Sequence, residues 1–422
     1  MSHPTPRSLA EIVTDGAIAR ADADAAFAAF LGRCEGVEFN RDGERMQVRF
    51  HRQSRSDVDA SGAVVAEIHA GEWTWCSDVA TDAAARFGIS ELTGTQPAGD
   101  SLFAAARTIH GCRPGFLAPM PGGETAVVCL DPPLPLGDTR TALITAAATP
   151  GILDDLPRAL SGFAAIRGLD VRVESGIWSF SDGTSVRVRN GRLHDIIGGL
   201  DIDQIRSDAV LTSSESQMYL DAVLPGAVST ADPLRGLITL RTPDGTETSV
   251  KGVVLATITN DTWTWGWADP YISSAPGTAP CHLIREFGRR QGIPVFISPT
   301  VPLPLARDLD LVSASKPVLG RWYHTTVNLN PETWAIMIFA DDSLVLPPST
   351  IHTVSAVIDT IIDDRMPDRI SAQRAVEAYS RFRGLGHEIQ TGPPPSLVLN
   401  TVDGTVNVHF STDDRVVRIG ID

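Results

Sequence analysis

The sequence predicts an α+β protein assembled as a tandem duplication, and three observations lead there. The pair Trp73 and Trp75 in GEWTWCSD returns as Trp263 and Trp265 in DTWTWGWADP. Other segments recur in the same order: ETAVVCLDPPLPLG (124–137) with ETWAIMIFADDSLVLP (332–347), GFAAIRGLDVRV (162–173) with AYSRFRGLGHEI (378–389), and SDGTSVRV (181–188) with VDGTVNVH (402–409). Their spacing drifts from about 190 to about 220 residues, as expected when two copies of one unit accumulate small insertions. Finally, short strand-like stretches and helical stretches are joined by hairpin-length turns, the pattern of antiparallel sheets with helices packed on them.

Each copy opens with a helix, at DADAAFAAFLGRC (22–34) and SESQMYLDAVL (214–224). Three or four strands follow, and the Asp-Gly in RTPDGTET (241–248) is the chemistry a hairpin turn favours. AVVAEIHA (63–70) and VVLATIT (253–259) lead into the Trp strands, the last of this set. A helix carrying Phe-Gly comes next, AARFGI around Phe87 and REFGRRQGI around Phe287, the latter within APCHLIREFGRRQG (279–292), and the second half adds an Ala/Leu-rich segment around 304–316. Two strands, RWYHTTVNLN and TWAIMIFA in the second half, precede a helix at 348–362. The order is α-β-β-β-α-β-β-α, with helices grouped on one face of the sheet. A smaller α-β-β-β piece closes each half, with Pro and Gly marking the seams at ATPGILDDLP and TGPPPS. The expected domains are a flexible N-terminus (1–20), a first unit (21–150), a small domain (151–205), a second unit (206–366) and a second small domain (367–422).

The formal net charge of −16 argues against nucleic acid and anionic membrane surfaces, which need clustered Lys and Arg, and it suits a basic partner. Five scattered cysteines without a CxxC point to reduced thiols in a cytoplasm, and Cys129 in the apolar run AVVCL reads as a buried, inert thiol. The N-terminus lacks the charged and apolar regions of a signal peptide, and no apolar stretch approaches the ~18 residues of a membrane span.

TWTWGWADP, followed by a helix ending EFG and a Gly-Ile, resembles DUF6882, a family of uncharacterised actinobacterial proteins. Its members carry a W-x-W-G-W-A-type strand with a downstream helix and glycine. The second half carries the fuller resemblance, over roughly 214 to 350. In the first half Cys76 and Asp78 stand where the pattern has Gly266 and Ala268, and the third Trp is missing. The resemblance implies no activity, cofactor or ligand set. Element order alone is also similar to type III secretion chaperones and YbjN-like proteins, which implies a peptide-holding role.

Catalytic signatures are absent: no GxGxxG after a strand, GxxxxGK[ST], HExxH or GxSxG occurs. Adjacent Cys281 and His282 would point about 100° apart on a helix, a poor chelate, so neither metal nor cofactor is expected. His324 with Asp341 and Asp342 can be written as an acid/base group, but the Asp pair follows an apolar strand, where a solvated turn belongs. Asp154-Asp155 and Asp363-Asp364 read as helix-end or turn carboxylates. Arg167 and Arg383, retained in the repeated (I/F)-R-G-L, are either anion contacts or last-turn residues before the C-cap glycines Gly168 and Gly384. Trp263, Trp265 and Trp267 form one aromatic row, either core or binding groove, with Trp267 reaching a cleft rim.

Together these features lead to a non-enzymatic peptide- or protein-binding, chaperone-like module. Its candidate contacts are Trp263, Trp265, Trp267, Trp73, Trp75, His324, Arg167 and Arg383. The alternative is a small-molecule enzyme or sensor with a site between the halves.

Overall fold

The computed structural model describes residues 4–360, 369–392 and 394–422. The chain forms two compact units, Met1–Ile197 and Gly198–Asp422. Each contains a seven-stranded antiparallel sheet and a four-stranded antiparallel sheet, with identical strand order in the two units.

The organising element is one long strand per unit, Val58–His69 and Glu247–Thr259. On one side it pairs first with the preceding strand (Arg45–Arg52; Leu237–Arg241) and then with the Trp strand (Glu72–Trp75; Thr262–Trp265). On the other side it pairs with the apolar strand Thr125–Leu130 or Thr333–Phe339. In both units the ladder with that apolar strand slips at the same place, between Val64 and Ala66 and between Val254 and Ala256. Such a bulge bends a strand too long to stay flat. A short strand, Thr95–Pro97 or Thr300–Pro302, adds to the outside of each Trp strand. The connecting helices therefore enclose this extra strand, and four strands precede the first of them.

Helices cover both faces of each large sheet rather than one. In the first unit Met46, Val48, Phe50 and Val64 pack toward Phe27 and Leu31 of helix Ala17–Leu31. Val65, Trp73 and Val127 pack toward Leu102 and Ala106 of helix Asp100–Ile109. The continuous apolar runs in AVVA and VVLA fit this, because a strand buried on both faces has no polar side to alternate with. Each small sheet is a four-stranded meander, one strand more than the sequence pattern indicates.

The opening helices begin earlier than the periodicity indicates. The second is Ile202–Val223, whose N-cap Asp201 forms a capping box with Gln204, so a boundary at 205/206 falls inside it. In the first unit the stretch expected as a flexible lead is helical from Leu9: Ser8 caps helix Leu9–Asp15, and Ile12 and Ile18 are buried. Buried Asp, Arg and Ser make these helices look solvated in sequence. The helix expected over 279–292 forms as His282–Gln291, where Gly292 takes the left-handed cap. Gly288 lies within it, and a β-carbon there would press on Phe296. Asp155 caps helix Leu156–Arg167, while Asp363, Asp364 and the 366/367 boundary lie outside the described residues.

Candidate functional site

The tryptophans are core in both units. Trp73 and Trp75 meet edge to face at 5.2 Å, and Trp263 and Trp265 do so at 5.3 Å. The second indole of each pair ties down the segment after the helix, Trp75 Nε1 donating to the Glu91 carbonyl and Trp265 Nε1 to the Val295 carbonyl, both at 2.9 Å. Trp73, Trp263 and Trp265 are fully enclosed, which removes them from the binding role considered for them. Trp75 is half-buried. Trp267 is also buried, beneath the guanidinium of Arg285 at 4.8 Å, rather than on a cleft rim. Gly266 is needed because a β-carbon there would strike the Val254 carbonyl oxygen. Asp269 completes the WGWADP segment from inside, accepting from Thr257 Oγ1 at 2.6 Å and from the Tyr271 amide at 2.9 Å.

The repeated arginines are held by repeated carboxylates. Arg167 bonds to Asp22, and Arg383 Nε lies 2.9 Å from Glu215 Oε2. Seven residues before each of these carboxylates, about two helical turns, a second pair recurs, Arg158–Asp15 and Arg374–Asp208, each at 2.7 Å. Gly168 and Gly384 are left-handed C-caps, as the last-turn reading requires. These arginines clamp the small domain's helix to the opening helix. Burial pushes the Glu215 carboxyl up, opposed by Arg383, and the Asp22 carboxyl up, opposed by Arg167.

What the clamp exposes is the residue before each arginine. Ile166 is 39% and Phe382 45% exposed, and the loop after the apolar strand adds Leu136 at 48% and Val345 at 67%. In the second unit Trp322 packs edge to face on Phe382 at 4.8 Å, and Arg383 donates to the Pro347 carbonyl at 2.6 Å, holding that loop. In the first unit Leu136, Ile166 and Arg167 border a cavity of about 240 Å³ that also reaches Ala23, Cys112, Arg113 and Asp131. The same Arg-capped helix end therefore carries a bulky apolar surface residue in both copies. The repeated (I/F)-R-G-L already contained Ile166 and Phe382; the arginine drew attention away from its neighbour.

His324 belongs to a different cluster. Its imidazole is pushed down to about 4 by burial and by Lys316. Lys316, fully buried, donates from Nζ to Ser213 Oγ at 2.7 Å, and Ser213 Oγ lies 3.1 Å from Ser313 Oγ. Asp341 is instead a half-buried turn carboxylate, lowered by bonds from the Ser343 hydroxyl and amide. The cysteines at 129 and 281 are buried thiols pushed up to about 12. Among the described residues no helix is long and apolar enough to cross a membrane.

Residues 203–342, covering the second large sheet and its helices, match the sequence model of DUF6882, a family of unknown function. No curated protein and no solved structure matches the chain.

Proposed function

We propose that the chain is a non-enzymatic protein-binding module, chaperone-like in holding apolar segments of a partner. The observation that carries this is the duplicated surface of Ile166 with Leu136 and Phe382 with Val345, kept apolar and exposed at equivalent places through two diverged copies. Each sits on a rigid support, because a buried Arg–carboxylate pair fixes the helix end beneath it. Exposed apolar groups beside polar ones are the usual composition of a protein contact. The net charge of −16 favours partner segments rich in Lys and Arg. All five cysteines are free thiols, which suits a reducing compartment such as the cytoplasm.

Selection of a random-peptide display library on the purified full chain tests this. The expected result is enrichment of segments with a bulky apolar residue flanked by basic ones, lost when Ile166→Glu and Phe382→Glu are combined. No enrichment, or enrichment indifferent to both substitutions, removes the proposal.

A further inference from the structure

The two copies differ where the first unit has its cavity. Leu130 and Phe339 pair with Gly62 and Gly252, the glycines at the same place in the two ladders, so they occupy equivalent positions. By the same register Pro114 corresponds to Tyr323 and Arg113 to Trp322. The second copy thus carries three aromatic rings, with Tyr323 and Phe339 5.7 Å apart, where the first has Arg113, Pro114 and Leu130. The shared clamp makes Asp22 the counterpart of Glu215, and so Ala23 the counterpart of Ser216. Smaller or straighter side chains leave the first copy with about 240 Å³ of space. That volume suits one branched aliphatic group; a 150 Å³ apolar cavity is known to hold benzene.

The wall is apolar at Ala23, Leu136 and Ile166 and cationic at Arg113 and Arg167. Arg167 is preorganised: one Nη bonds to Asp22 and its guanidinium lies over the Phe163 ring at 5.5 Å. Arg113 is half-exposed and only loosely paired, 3.4 Å from Asp131. At the cavity wall the Cys112 thiol feels three guanidiniums, Arg20, Arg107 and Arg167, against the single carboxylate of Asp24. With Arg113 included, four guanidiniums stand against Asp22, Asp24 and Asp131, an excess of one positive charge in a chain of net charge −16. Planar guanidiniums beside an apolar pocket match a carboxylate attached to an aliphatic group.

We infer that the first-unit cavity receives the C-terminal residue of a peptide, its aliphatic side chain in the pocket and its free carboxylate on Arg113 and Arg167. This rests on the peptide-binding reading and gives it a polarity: the partner segment ends here rather than passing through. The second copy, with aromatic rings at these positions, binds internal segments at its Trp322–Phe382 surface.

The test uses the full chain and a dye-labelled basic hexapeptide ending in leucine, prepared as free acid and as C-terminal amide, with fluorescence anisotropy as readout. The acid should bind at least tenfold tighter than the amide. Arg113→Gln, a surface change, should bring the acid to the amide's level, and Leu130→Phe, which copies the second unit, should weaken both. Circular dichroism confirms that each variant is folded. Equal affinity for acid and amide overturns the inference while leaving peptide binding in place. If neither peptide binds but library selection still enriches segments dependent on Phe382, the inference fails alone; if selection fails as well, the binding reading falls with it.

Discussion

Lys316 offers a prediction whose size follows from the structure. The chain has only two lysines, Lys251 and Lys316, among 35 basic residues, and Lys316 is completely enclosed. Its ammonium donates to Ser213, and among the described residues no carboxylate lies within ion-pair distance of it. Burial pushes it down from 10.5 to about 8. The sign follows from linkage: a lysine lowered in the folded state costs stability wherever it is charged in both states, below about pH 8. That cost disappears as pH rises toward 10.5, where the unfolded chain still holds the proton and the folded one does not. At about 1.4 kcal/mol per pH unit, the cost near pH 7 is about 3 kcal/mol. Lys316→Met keeps the volume and removes the charge, while losing the Ser213 hydrogen bond, about 1 kcal/mol. The net gain is about 2 kcal/mol at pH 7, or roughly 4–8 °C in the transition of a unit of this size. Calorimetry of wild type and variant at pH 7 and pH 11 reads it directly, because other groups titrate alike in both proteins. The advantage should shrink by about 3 kcal/mol at the higher pH. An advantage unchanged with pH, or a loss of stability at pH 7, refutes the reasoning.

Other perturbations follow from the same physics. Arg383→Met leaves Glu215 buried without its partner and should cost about 3–5 kcal/mol in denaturant melts, most of it recovered by adding Glu215→Leu. Burial pushes both His110 and His324 down to about 4 from 6.5, so the unfolded chain takes up protons first and stability falls between pH 6.5 and 4. The double variant His110→Asn/His324→Asn should show a shallower acid limb in pH-dependent melts. Gly266→Ala puts a methyl group on the Val254 carbonyl and should cost about 3 kcal/mol in thermal melts. A neutral result there would mean that the Trp strand has room it does not show.

The duplication was readable because the Trp pair, the Arg-Gly helix ends and the Asp-Gly turns each depend on local chemistry that both copies retained. Strand pairing and the common bulge between Val64 and Ala66 and between Val254 and Ala256 were not readable, since register depends on partners far apart in sequence. The start of the second opening helix was hidden by buried polar residues such as Asp203, Arg206 and Ser207, which periodicity counts as solvent-facing. The same blindness affected the candidate site. Tryptophans invite a binding reading, yet their spacing of two served the sheet interior. Retention of the arginines pointed to the helix ends where the Arg–carboxylate clamps lie, and Asp22 and Glu215 could be recognised as their partners only once the helices of each unit were placed side by side. Lys316 left one legible trace, a single charge in the apolar segment LVSASKPVL.

Hydrogen–deuterium exchange of the full chain, with and without a saturating library-selected peptide, probes the binding proposal most directly. Protection should rise in the loops around 131–138 and 340–350 and at the helix ends bearing Ile166 and Phe382, with the Trp strands equally protected in both states. Protection confined to other surfaces, or a change centred on Trp263 and Trp265 with these helix ends untouched, would contradict the assignment of the duplicated apolar surface as the binding face.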